Sequence, residues 1–87
     1  MIKGVDHIGI AVRSIEEGLR LYRDALGLEK VAHEDTSDME IVVIRTGAMK
    51  LELMAPKKED SPVGKFLAKR GPGVHHIAYE TDDIEGD

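Results

Sequence analysis

Cysteine and tryptophan are absent from these 87 residues, and the aromatics number three: Tyr22, Phe66 and Tyr79. Without cysteine the disulfide route that often holds short chains together is closed, so a chain of this size must draw on its core, a metal or a partner. No apolar run approaches the roughly 20 residues that a membrane helix needs, which excludes a spanning helix. The opening Met1-Ile2-Lys3-Gly4 lacks the apolar stretch of a signal peptide, so the cytoplasm is the expected compartment. Positive charge is scarce too: the net charge is -5 and no block of lysine and arginine occurs. With so few rings, neither phosphate contacts nor base stacking have their usual material, and nucleic acid is excluded as a partner.

What is present is a sequence with 41% hydrophobic and 33% charged residues, the balance of a globular chain. Residues 5–12 (VDHIGIAV) are rich in β-branched side chains and predict a strand. Alternation puts His7, Gly9 and Ala11 on one face, with Ile8, Ile10 and Val12 on the other, the natural core face. Ser14 and Glu17 form a capping box, and Ile15, Leu19, Tyr22 and Leu26 recur at helical spacing, so a helix is predicted over about 15–26, ended by Gly27. Strands are predicted at 28–34, 39–45 and 50–54, with a polar loop at 35–38 and a hairpin around Gly47. Glu52 lies between Leu51 and Leu53 and must point away from their face. Ser61-Pro62 announces a short connector helix that Gly71 stops, and 73–79 (GVHHIAY) reads as another strand. Thr81-Asp82-Asp83 is placed to cap a further helix.

The chain carries an internal repeat. Residues 4–18 set against 73–87, an offset of 69, agree at 6 of 15 positions, where chance gives about one. His7 and His76 become equivalent, and a twofold axis between the repeats would bring their imidazoles together. Imidazole nitrogen and carboxylate oxygen projected from rigid strands are the donors that a divalent ion takes. His7, Glu52 and His76 meet that description. His75 is expected to face away from His76, as neighbours in a strand do, and His33 is expected to be structural or exposed. The acidic cluster Glu34, Asp35 and Asp38 lacks the spacing of a calcium loop and is expected to be a solvated turn.

The segments DHIGIAV (6–12), LELMAPKKEDSPVGKFLAKRG (51–71) and GVHHIAYETDDIE (73–85) resemble the glyoxalase and bleomycin-resistance superfamily, the vicinal oxygen chelate proteins, and within it the methylmalonyl-CoA epimerases most closely. The resemblance implies an α+β fold: one βαβββ module over 1–56, a connector with a short helix over 57–72, and over 73–87 the start of a second module that stops short. It implies His7, Glu52 and His76 as metal ligands, a divalent ion (cobalt, zinc, manganese or nickel) as cofactor, and an acyl-CoA thioester as substrate. Glu40 is the implied catalytic base, with its facing set by the register of the hairpin. The strand that carries a fourth ligand in the family lies beyond Asp87, so the expectation is either a fragment or two chains completing one another as a homodimer. Three activities stay open: epimerisation of methylmalonyl-CoA through an enolate, a glyoxalase I type isomerisation, or a non-catalytic, ligand-sequestering module.

Overall fold

The computed structural model describes residues 1–81, and within them the expected order of strand, helix, three strands, connector helix and strand is the order observed. The elements are β1 (Ile2–Ala11), α1 (Ile15–Leu19) with a π-helical extension (Arg20–Ala25), β2 (Glu29–Asp35), β3 (Met39–Thr46), β4 (Met49–Pro56), α2 (Pro62–Arg70) and β5 (Gly73–Thr81). All five strands form one sheet in the order β2-β3-β4-β1-β5. The helix expected from Thr81-Asp82-Asp83 lies outside the described residues.

Local chemistry explains the boundaries. The Ser14 hydroxyl accepts from the Glu17 backbone N–H at 3.2 Å, and the Ser61 hydroxyl accepts from Gly64 at 3.1 Å while donating to the Lys58 carbonyl at 2.7 Å. Pro62, which has no N–H to satisfy, takes the first position of α2, and Gly71 ends it at φ 75°. The β3–β4 hairpin turns at Gly47, whose φ of 65° suits glycine. The first helix departs from the prediction: its second half winds wider, with the Leu26 N–H bonded to the Leu21 carbonyl five residues back. Wider turns advance each residue by a smaller angle, so Leu26 no longer returns to the face of Leu19 and stands 59% exposed.

The two faces of the sheet are covered unequally. On one, Ile10, Val12, Leu19, Val42, Ile44, Leu51, Leu53 and Ala55 are buried beneath α1, with Ile8, Ile15 and Tyr22 packed around them. On the other, α2 covers one end through Val63, Phe66 and Leu67 against Ala11 and Met54. The rest of that second face carries the candidate site. Leu53, fully buried on the central strand β4, belongs to the first face, as the predicted alternation requires.

Pairing of β1 with β5 answers to the sequence repeat. Ile8 pairs with Ile77, its own counterpart; His7 pairs with Ala78, the counterpart of Gly9; and Gly9 pairs with His76, the counterpart of His7. A local twofold axis therefore passes between Ile8 and Ile77. The ladder is broken in equivalent places as well: Val5 and His7 face Tyr79 and Ala78, leaving Asp6 bulged, while Gly9 and Ile10 face His76 and Val74, leaving His75 bulged.

Candidate metal centre

Three adjacent strands, β4, β1 and β5, set the candidate ligands on one face. In the parallel β1–β4 pair, Gly9 lies beside Glu52, and in the antiparallel β1–β5 pair it lies opposite His76. Gly9 is the hollow of the site. A Cβ built there would fall well inside van der Waals contact with the His76 ring, so only glycine lets that imidazole lie across the strand.

The ligand-capable atoms meet at His7. Its Nε2 is 3.2 Å from Nε2 of His76 and 3.5 Å from Oε2 of Glu52, and the two imidazoles stand edge to face, their centroids 5.3 Å apart. His7 and Glu52 have side chains 20% and 28% exposed, withdrawn from bulk water yet open on one side. Two ligand atoms bound to one ion at about 2.0 to 2.2 Å, at tetrahedral or octahedral angles, stand roughly 2.8 to 3.6 Å apart. Both measured separations fall in that interval. The donor set, two imidazole nitrogens and a carboxylate oxygen, suits zinc, cobalt, manganese or nickel better than calcium or magnesium. His7, Glu52 and His76 are thus the residues that would hold such an ion.

Glu40 is not brought to them. It pairs with Ala55, and Val43 pairs with Glu52, so alternation sets Glu40 on the face of Val42 and Leu53, opposite to Glu52. Its Oε2 lies 3.1 Å from His33 Nε2 at the β2–β3 edge. His33, Asp35 and Glu40 each offer a ligand-capable atom, all within 4.8 Å of one another, but Asp35 is also paired with the Lys57 ammonium. Hydrogen bonding to Lys57 holds the Asp35 carboxyl below its ordinary value. These donors are engaged with each other and with a lysine, in side chains 40% or more exposed. Strong hydration and prior pairing make this the weaker metal site despite its compactness.

Three contributors escaped sequence reasoning. The expectation that His75 faces away from His76 is corrected: the bulge breaks the alternation, and the two Nδ1 atoms lie 3.1 Å apart. His75 also packs edge to face on Phe66 of α2. Asp6, the other bulged residue, places Oδ2 2.8 Å from Nδ1 of His7, and this bond holds its carboxyl below the ordinary value. Gly9 is the third. Its signal was available, since glycine inside an apolar strand marks a close approach, whereas neither bulge has a sequence signature.

Comparison with known proteins bears on the family and the fold that position these residues. A model of the glyoxalase/bleomycin resistance protein/dioxygenase superfamily matches residues 6–87. The uncharacterized protein YqjC of Bacillus subtilis is 44% identical over 77 residues, covering 86% of this chain and 55% of its own length. The ethylmalonyl-CoA/methylmalonyl-CoA epimerase of Cereibacter sphaeroides is 39% identical over 87 residues, covering 97% of this chain and 65% of its own. Among solved structures, a variant of Streptomyces coelicolor methylmalonyl-CoA epimerase in complex with 2-nitronate-propionyl-CoA superposes with a TM-score of 0.88 at 37% identity, over 100% of this chain and 66% of that one. The chain thus spans between about half and two thirds of the length of the relatives it matches.

Proposed function

We propose, given that the chain belongs to the glyoxalase/bleomycin resistance protein/dioxygenase superfamily, that it supplies the metal-holding part of an enzyme that epimerises methylmalonyl-CoA. The observation that carries the proposal is the meeting of His7, His76 and Glu52 on one face, over Gly9, whose missing side chain makes room for the His76 ring. The identities of the relatives support the substrate class, an acyl-CoA thioester. A nitronate, the ligand named for the Streptomyces relative, is planar at the carbon that bears it, as an enolate is, which supports proton removal as the chemistry.

In this reading the carbon between thioester and carboxylate loses its proton to a base on one side and regains one from the other. His7, His76 and Glu52 would hold the ion, and their side chains would orient it towards the substrate. A divalent cation bound there stabilises the negative charge that develops on the thioester oxygen. Glu40 enters as one base on the resemblance alone. The β3 register sets it on the opposite face with His33, so this half of the proposal rests on Glu40→Gln, which is expected to lower turnover by roughly 10²- to 10⁴-fold with metal affinity unchanged. Unchanged turnover would remove Glu40 from the mechanism.

The same proposal includes a homodimer in the cytoplasm. It is supported by the exposed apolar side chains of β5, Val74, Ile77 and Tyr79, at 56%, 47% and 57% exposure, and by the lack of cysteine. Sedimentation tests the dimer: a stable, folded monomer sinks it. For the activity, the chain loaded with cobalt is incubated with methylmalonyl-CoA in deuterated water, and label appearing at the C2 position is the expected result. A fully metal-loaded chain that exchanges no proton there, or that turns over a glutathione hemithioacetal in preference, would overturn the epimerase reading in favour of a sequestering module or a glyoxalase I type enzyme.

A further inference from the structure

We propose that the two bulged residues, Asp6 and His75, control where the protons sit on the paired histidines, and that they do so unequally: Asp6 locks His7, whereas His75 lets His76 switch. The inference rests on the ligand set proposed above. Its starting point is a row of four side chains joined by three contacts: Asp6 Oδ2 to His7 Nδ1 at 2.8 Å, His7 Nε2 to His76 Nε2 at 3.2 Å, and His76 Nδ1 to His75 Nδ1 at 3.1 Å.

A carboxylate only accepts, so the contact with Asp6 requires the proton of neutral His7 on Nδ1. Nε2 of His7 then carries a lone pair. In the metal-free chain the 3.2 Å contact between the two Nε2 atoms is a hydrogen bond only if His76 bears its proton on Nε2 and donates it. The Nδ1 of His76 must then accept, and His75 must donate from its own Nδ1. All three contacts are satisfied by protons running in one direction, from His75 towards Asp6.

Binding a cation changes one half of this row. A metal ligand must present a lone pair, so His76 has to give up the proton on Nε2 and carry one on Nδ1 instead. It then donates to Nδ1 of His75, which becomes the acceptor and moves its own proton to the outward Nε2. Each imidazole exchanges its proton between its two nitrogens, so the number of protons is unchanged. An imidazole can serve in either direction, which a carboxylate cannot. His7 needs no change, because Asp6 already leaves its Nε2 free.

The bulges make this possible. In an unbroken strand Asp6 and His75 would point to the opposite face from His7 and His76, the histidines they precede in the sequence repeat. Extra residues in the ladder bring each beside its neighbour. Asp6 and His75 are therefore positioning residues, acting through His7 and His76.

Long-range proton–nitrogen NMR spectra of the full chain, recorded without metal and then with zinc, test the proposal. His7 is expected as the Nδ1–H tautomer in both states, and His76 as Nε2–H without zinc and Nδ1–H with it. Asp6→Ala is expected to mix the tautomers of metal-free His7 and to weaken zinc binding roughly 10- to 100-fold, the usual range for a lost outer partner. Asp6→Asn, whose amide oxygen still accepts, is expected to keep the tautomer. His75→Phe, which preserves the packing on Phe66, is expected to weaken zinc binding less than Asp6→Ala, because the partner it removes is uncharged. Circular dichroism confirms that each variant is folded. His7 found as Nε2–H in the metal-free chain, or Asp6→Ala with the wild-type tautomer, overturns the lock. A tautomer of His76 that zinc leaves unchanged overturns the switch. If the wild-type chain takes up no zinc, the ligand set fails and the switch with it, while the metal-free tautomer of His7 still decides the lock.

Discussion

Two regions of this sheet bring histidine and carboxylate together, and they differ in what the scaffold has left unspent. On β1, β4 and β5 the Nε2 of His7 faces a second imidazole and a carboxylate, with no lysine or arginine paired to Glu52 in the described residues. At the β2–β3 edge, His33 is satisfied by Glu40 and Asp35 by Lys57. Composition alone would rank the two alike. Over Gly9, on the adjacent strands β4, β1 and β5, the donors stand poised without being paired off, whereas at the β2–β3 edge they neutralise one another.

The largest test of this contrast removes the residue common to both contacts. His7→Ala is expected to lower zinc affinity by more than about 100-fold, beyond the range for outer partners, in titrations against a competing chelator. Retention of affinity within tenfold would transfer the metal to another site. Gly9→Ala comes next. Its methyl group displaces the His76 ring, so zinc affinity is expected to fall roughly 10- to 100-fold, with a stability loss of about 1–3 kcal/mol in urea unfolding. The double variant His33→Ala, Asp35→Asn sharpens the comparison from the other side: zinc affinity is expected to stay within about twofold, since the edge cluster holds no ion in this reading. A substantial loss would reverse the ranking of the two regions.

The smallest effect belongs to the Lys57–Asp35 pair. The Asp35 carboxyl is lowered in the folded chain, so the pair favours folding above the unfolded carboxyl value of about 3.9 and that contribution is lost as pH falls through the lower folded value. Lys57→Met is expected to move the acid unfolding midpoint slightly upward, as followed by circular dichroism. An unchanged midpoint would show that the pair contributes nothing.

Much of this was legible in residue pattern. Ser14 and Ser61 announced the helix starts, and alternation around Glu52 put it on the face away from Leu51 and Leu53. The repeat made His7 and His76 equivalent, and the register then showed them meeting. What escaped depended on interruptions of periodicity. The bulges at Asp6 and His75 insert a residue without any change in composition, so parity reasoning sent His75 to the wrong face. The wide winding after Leu19 had no breaker to mark it, and Leu26 lost its place in the core. Glu40 was undecidable from sequence because one residue of slip in the hairpin exchanges its face, and the observed register put it with His33.

A strand whose residues pair with their own counterparts has the register it would adopt against an identical copy of itself. Around Ile8 and Ile77 one edge sequence therefore suffices to specify both sides of the seam. Joining two copies in one chain releases them from remaining identical, and each can then be altered without altering the other. The bulge shows that freedom in use: the same structural position holds an aspartate in one copy and a histidine in the other. Duplication accounts for the symmetry of the paired imidazoles, and divergence, at the bulge among other positions, for their unequal surroundings.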